Sequence, residues 1–273
     1  MPTIVERDAA IAALADEWDA LFALAGDLGP DDWDRPTACP GWSVKDNVSH
    51  VLGTESMLLG RPTPDVDISH RDPELRNDIA RFNEHWVEAY RSRPPAELMA
   101  DLRAVVDERR AQLDGMDQAD FDAESFTPAG PDTYGRFMRI RVMDTWFHEQ
   151  DIREAAGRPG HLEGVAPATA LGEVTAVLGY VVGKKAGAPA GSSVRFVLTG
   201  PLAATIDVEV GDRALVVDAL PGEPTVTLTV PGDRFLRMCG GRLPDPDGWP
   251  AEFQVTGDRE LGEAVARNLA FTI

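Results

Sequence analysis

RVMDTWFHEQDIR, residues Arg141 to Arg153, is the stretch whose reading decides the fold. Wound as an α-helix at roughly 100° per residue, it places Asp144, His148 and Asp151 on one narrow stripe, with Arg141 close by. Asp144 and His148 form an i, i+4 pair, the spacing at which two side chains of one helix close on a single divalent ion. By itself the pair reads equally well as an exposed intrahelical hydrogen bond worth a few tenths of a kcal/mol. It becomes a site only if another element brings a third ligand.

Upstream, the pattern is helical. Residues 3–28 carry Ile11, Leu14, Trp18, Leu21 and Ala25 at helical spacing, and the helix they predict stops at Gly29-Pro30. After a loop rich in Asp and Pro, Ser43 followed by Asp46 is a variant capping box that opens a second helix running to Gly60. Its apolar stripe is Val44, Val48, Val51, Leu52, Leu58 and Leu59. His50 projects away from that stripe beside Asn47, Thr54 and Met57, a mixed face that is either solvent or the wall of a polar cavity. Asp72-Pro73 reads as N-cap and first position of a third helix ending near Arg93, and Pro94-Pro95 breaks it. A helix over 96–114 follows, then an irregular segment from Gly115 to Asp132 that leads into the helix of the opening. Gly157-Arg-Pro-Gly stops that helix.

From there the period changes. One Val- and Ala-rich helix over 166–184 precedes SVRFVLT, ATIDVEV, ALVVDA and PTVTLTV, short alternating or β-branched runs separated by Gly, Pro and Asp. DRFLRMCGG reads as a short helix, EFQVTG as a last strand and ELGEAVARNLAF as a closing helix. The prediction is two domains: an all-α one over 1–160, and an α+β one with a mainly antiparallel sheet over 161–273.

With 46 acidic against 26 basic residues, a net charge of −20 and a pI near 4.5, the chain repels nucleic acid phosphates and anionic membranes, which excludes a nucleic-acid partner and argues against a membrane one. Cys39 and Cys239 fit neither a CxxC pair nor a disulfide framework, so a reducing cytoplasm is expected. MPTIVERDAA carries charge where a signal peptide carries its apolar core, and no apolar run approaches the ~20 residues that span a bilayer. Monomer and homodimer are both open. Lysine occurs only at 45, 184 and 185, and with the abundance of Ala, Gly and Pro this points to a high-GC genome.

A helical bundle can collect one ligand from one helix and two from another, and His50 is the candidate for the third. Two histidines and a carboxylate suit zinc with an open position, or non-haem iron. Asp151 reads as a carboxylate that orients a metal-bound imidazole through its free N–H, or as a cap. His70, His85 and His161 are read as structural or exposed.

TACPGWSVKDNVSHVLGTE, followed about 90 residues later by RxxDxWxHxxDIRxAxGRPG, resembles the mycothiol-dependent maleylpyruvate isomerase family. The resemblance covers essentially the whole chain. It implies a DinB-like metal-binding four-helix bundle followed by a domain similar to sterol-carrier-protein folds. It also implies zinc held by a histidine of the second helix and by a glutamate and a histidine four apart on the last bundle helix, which by residue match are His50, Asp144 and His148. The departure is Asp144, one methylene shorter than the family glutamate. Arg141 and Asp151 match family-like positions beside the site.

What the resemblance implies is a zinc-dependent enzyme that uses mycothiol, the low-molecular-weight thiol of actinobacteria, as an S-transferase or a cis–trans isomerase acting on a small electrophile. No protein side chain is assigned acid–base work, and the nucleophile belongs to the cofactor, in keeping with the lack of a Cys near the ligands in sequence. Substrate is expected between the domains, where Arg234 or Arg237 would hold an anionic group; the plainer reading of those arginines is surface charge. Two rivals stand beside this reading: a non-catalytic lipid- or small-molecule-binding module with a structural metal, and a hydrolase using metal-bound water.

Overall fold

The computed structural model describes residues 2–243 and 248–272, apart from the side chains of Asp72 and Glu74. It divides into two compact units, 1–160 and 161–273, the first helical and the second α+β.

The helical unit is built from α1 (Arg7–Gly26), α2 (Val44–Leu58), α3 (Asp78–Arg91), α4 (Pro95–Asp114) and α6 (Tyr134–Ala156), with a one-turn α5 (Gln118–Asp122) and a two-stranded ribbon of β1 (Glu124–Ser125) and β2 (Asp132–Thr133) before α6. The segment read as irregular thus carries its own local structure. α6 packs on α1 and α2, and α2 also packs on α3 and α4. Leu14, Trp18 and Leu21 of α1, Leu98, Leu102, Val105 and Val106 of α4, and Met138, Val142 and Trp146 of α6 are buried in the core.

The capping chemistry follows the residues. Ser43 Oγ accepts from Asp46 N at 3.2 Å and Asp46 Oδ2 accepts from Ser43 N at 2.9 Å, the reciprocal box expected at the start of α2. Thr133 caps α6 through Arg136 N, and Gly157 ends it in the left-handed conformation at φ 66°. α3 differs from its prediction. It begins at Asp78 with Asn77 as the N-cap, while residues 69–74 form a 3-10 turn containing Pro73; the expected cap, the Asp72 side chain, lies outside the described residues. On α2 the structure decides between the two readings of its non-apolar face against solvent: Asp46, Asn47, Ser49, His50, Thr54, Glu55 and Ser56 are all buried. Gly53 makes this possible on one side, since a Cβ there would sit 2.4 Å from Trp86 Cγ of α3.

α1 starts at Arg7 and not at residue 3, because Thr3 is used elsewhere. Asp132 accepts from Thr3 N at 2.7 Å, Thr3 Oγ1 at 2.8 Å and Arg136 Nη1 at 2.8 Å. Burial alone would raise this carboxyl, but these bonds hold it well below the usual carboxylate range.

The second unit has a five-stranded sheet in the order β5-β4-β3-β6-β7, with β3 (Ser193–Thr199), β4 (Ala204–Val210), β5 (Ala214–Val217), β6 (Val226–Pro231) and β7 (Gln254–Gly257). It is mixed: β3 and β6 run parallel and the other pairs antiparallel. The β3–β4–β5 meander occupies one edge of β3, so the returning chain takes the other. The register aligns Val194 with Val226, Phe196 with Leu228 and Leu198 with Val230, so the buried alternate residues of both strands face the same core. α7 (Val165–Tyr180), α8 (Gly232–Cys239) and α9 (Arg259–Arg267) pack on the sheet. α7 continues as a π turn to Lys185, and the combined segment is long and apolar enough to cross a membrane, which corrects the expectation that no such run exists. Here Ala166, Ala170, Val174, Leu178, Val181 and Val182 are buried within the unit.

The latch at Asp132 has a measurable consequence. Because its folded pKa is depressed, the stabilisation is complete above the unfolded value of about 3.9 and is lost as the pH falls below it toward the folded value. Asp132→Asn is expected to lower the urea-unfolding free energy by about 1.5–3 kcal/mol at pH 7, as for hydrogen bonds to a charged group, and by about 1 kcal/mol less at pH 3, where the unfolded carboxyl is mostly protonated while the folded one is still charged. Equal losses at both pH values would show that the carboxylate charge is not what holds Thr3.

Candidate functional site

The site is made where α2 and α6 cross. His50 lies on α2, whereas Asp144 and His148 lie one turn apart on α6. His50 Nε2 is 3.1 Å from Asp144 Oδ2 and His148 Nε2 is 3.6 Å from Asp144 Oδ1, and the three side chains offer ligand atoms that all lie within 4.8 Å of one another. The three residues read from the sequence are therefore together. Asp144, although shorter than glutamate, reaches both rings. The two imidazoles are 5% and 8% exposed and Asp144 31%, so solvent and any ligand reach the cluster from the Asp144 side.

The electrostatics separate the two histidines. Burial holds His50 below the ordinary imidazole value despite the neighbouring Asp144, which keeps the ring neutral. His148 is driven up: burial opposes its charge, but the neighbouring Asp144, Asp151 and Cys39 raise it well above that value. Desolvation would likewise raise Asp144, yet His50, Arg141 and the bonding to both histidines hold it well below the usual range. The carboxylate is charged and stands between the two rings.

Those donors fit a divalent cation. Two imidazoles and an ionised carboxylate converge with one side open.

The support beneath the cluster is ionic. Glu55, fully buried on α2, lies between Arg109 of α4 at 3.0 Å and Arg141 of α6 at 3.0 Å. Arg141 in turn bonds Asp144 and donates to Thr145 Oγ1 at 3.2 Å, so its place beside the site is filled as the sequence indicated. Trp42 forms a wall, its ring 5.3 Å from His50 and 5.8 Å from His148 between centroids, with its indole N–H donated to Glu84 Oε2 at 3.2 Å.

Behind His148, three groups meet Nδ1. Asn47 Oδ1 is at 2.7 Å, Asp151 Oδ2 at 3.6 Å and Cys39 Sγ at 3.8 Å, and the Cys39 thiol donates to Asp151 Oδ2 at 3.1 Å. Asp151 is thus adjacent to the ring, but Asn47 makes the short contact. Cys39 corrects a reading based on sequence distance: 109 residues from His148, it is a neighbour in space. Asn47, Cys39, Trp42 and Glu55 were not picked out as site residues. The signal for Asn47 was its i−3 position to His50 on one face, and Cys39 and Trp42 lie inside the TACPGW segment.

Arg234 and Arg237 belong to the second unit, on α8. Arg234 Nε is 3.5 Å from Asp233 Oδ2, as a surface charge pair would be. Arg237 is 7% exposed, so the surface reading does not hold for it.

Residues 14–153 match the mycothiol maleylpyruvate isomerase N-terminal domain, and residues 168–264 match the MDMPI C-terminal domain. The chain belongs to the mycothiol maleylpyruvate isomerase family. Uncharacterized proteins from two strains of Mycobacterium tuberculosis, CDC 1551 / Oshkosh and ATCC 25618 / H37Rv, are each 29% identical over 148 residues, 54% of this chain; the chain spans 56% of the length of these relatives. The fold is similar to that of a histidine-to-alanine mutant of the mycothiol-dependent maleylpyruvate isomerase, with a TM-score of 0.60 and 13% identity over 94% of this chain and 96% of that one. A second crystal structure of that isomerase gives 0.56 and 16%, covering 93% and 99%.

The buried ion pairs make a testable demand. Glu55→Gln leaves two buried guanidinium groups against a neutral amide, and urea unfolding is expected to show a loss of about 3–5 kcal/mol. A loss below about 1 kcal/mol would mean that Arg109 and Arg141 find other partners, since exposed pairs contribute no more than that.

Proposed function

We propose that this protein is a metal-dependent enzyme of mycothiol chemistry, an isomerase or S-transferase acting on a small electrophile, with His50, Asp144 and His148 as the metal ligands. The observation that carries the reading is the convergence of two buried imidazoles on a partly exposed carboxylate. A divalent ion such as zinc, when bound, would supply Lewis acidity at an open position, where a thiol of ordinary pKa near 8.5 is held as thiolate at neutral pH.

This chain's own residues then have defined work. His50 enters as a neutral imidazole and Asp144 as a carboxylate, so two ligands need lose no proton at neutral pH. Arg141 fixes the Asp144 carboxylate, and Glu55 fixes Arg141. Trp42 covers both rings and keeps water off that side, leaving approach past Asp144. The sulfur that attacks comes from mycothiol; in the isomerase version it adds to an activated cis double bond, rotation follows, and elimination gives the trans product. In the transferase version it displaces a leaving group or opens an epoxide. Arg234 and Arg237 remain candidates for an anionic group of substrate or cofactor. In the same reading the helical unit is a DinB-like four-helix bundle of α1, α2, α4 and α6, and the second unit a sterol-carrier-protein-like domain.

Purified protein is expected to carry about one zinc per chain, as one three-ligand site implies. His50→Ala and His148→Ala are expected to abolish it by elemental analysis, and Asp144→Glu to preserve it. Incubation with mycothiol and a panel of electrophiles, including cis-olefinic acids, should give a mass-shifted conjugate or the trans isomer, dependent on both thiol and metal. Turnover without thiol would favour the hydrolase reading. Metal binding with no turnover across the panel would favour the binding module.

A further inference from the structure

The hydrogen bonds around Asn47 carry information about His148 that the ligand set alone does not. Asn47 is fully buried, and both protons of its amide are spent: Nδ2 donates to Ser43 O at 2.8 Å and to Thr37 Oγ1 at 3.0 Å. Neither partner can reverse its role. Ser43 O is a carbonyl and only accepts. The Thr37 hydroxyl donates its one proton to Trp42 O at 3.0 Å, so toward Asn47 it too can only accept. Flipping the amide would set Oδ1 against a carbonyl oxygen and a lone pair.

The orientation is therefore determined, and Oδ1 faces His148 Nδ1 at 2.7 Å. An amide oxygen has no proton, so the proton of that bond must come from the ring. We infer that Asn47 fixes the tautomer of His148, protonated on Nδ1 with the Nε2 lone pair turned toward Asp144, and so makes Asn47 the positioning residue of the metal site. The chain of control runs from the backbone carbonyl of Ser43 and the hydroxyl of Thr37, through one amide, to a ring nitrogen.

Two consequences follow. Cys39, His148 and Asp151 are close enough together to hold a metal, but that would need the Nδ1 lone pair, which the tautomer removes. The cluster is instead a hydrogen-bonded backing, with the Cys39 thiol on Asp151 and the imidazole N–H on Asn47. The role expected of Asp151, orienting the imidazole, passes to Asn47, because the 2.7 Å contact is the hydrogen bond and the 3.6 Å approach is not.

The tautomer itself does not depend on the metal reading, although its consequence for ligation rests on it. The test is long-range 1H–15N correlation of the His148 ring in metal-free protein at a pH where the ring is neutral, paired with zinc affinity by competition against a chromophoric chelator. Wild-type protein should show Nδ1 protonated and Nε2 bare. Asn47→Leu should shift the ring toward the Nε2–H form and weaken zinc about 10- to 100-fold, the usual cost of losing a partner that orients a metal-bound histidine. Thr37→Val removes one of the two bonds that hold the amide and should give a mixture. If Asn47→Leu does not fold, Thr37→Val decides the matter. Nε2–H in wild-type protein, or a tautomer indifferent to Asn47→Leu and Thr37→Val, would overturn the inference even with zinc bound. A tautomer that responds as expected in a protein that takes up no zinc would uphold it and refute the metal reading instead.

Discussion

The helical unit depends on a buried carboxylate. Glu55 has no access to water, and its two oxygens are taken by Arg109 and Arg141, which come from different helices. A buried pair of this kind does not by itself favour folding over a well-packed apolar equivalent, because removing the charges from water offsets their attraction. What it does supply is position. Once Glu55 sits between α4 and α6, Arg141 has one place to go, and its far end meets Asp144. The carboxylate that joins both histidines is thus held from below by a charge whose own location is set by three helices.

That arrangement explains why α2 is buried on nearly every side. A helix carrying Asp46, Asn47, Ser49, His50, Thr54, Glu55 and Ser56 inside a protein would be costly if those groups lacked partners. Most have them: Asp46 closes the cap, Asn47 bridges the loop and His148, Ser49 and Thr54 bond carbonyls one turn back, and Glu55 takes two arginines. His50 Nδ1 and Ser56 Oγ are the exceptions, buried without a partner. Stability and site share one hydrogen-bond network, so changes in the loop from Thr37 to Trp42 reach His50 and His148 through Asn47 and Trp42.

Membership of the mycothiol maleylpyruvate isomerase family is compatible with such a site. Asp144, one methylene shorter than the glutamate that the motif resemblance implies, still stands between the rings and is held by Arg141. The second unit adds a mixed sheet whose parallel β3–β6 pair arises from the meander having occupied the other edge of β3.

Periodicity, caps and breakers were enough to place the long helices of the first half and the strands of the second, apart from the starts of α1 and α3, because those signals are local. The i, i+4 relation of Asp144 and His148 was legible for the same reason, since a helix alone sets it. His50 as the third candidate came from the ability of a bundle to gather groups from two helices, joined by a motif resemblance, and the structure places the three side chains together. Only the tertiary structure could decide that Cys39 backs His148 across 109 residues, that Glu55 is the anchor of Arg141, and that Asn47 rather than Asp151 bonds the ring. Those contacts join elements far apart in the chain, and no local period encodes which buried polar group meets which. The start of α1 shows the same limit in small: the pattern permits helix from residue 3, but a bond from Thr3 to Asp132, 129 residues away, holds the chain extended there.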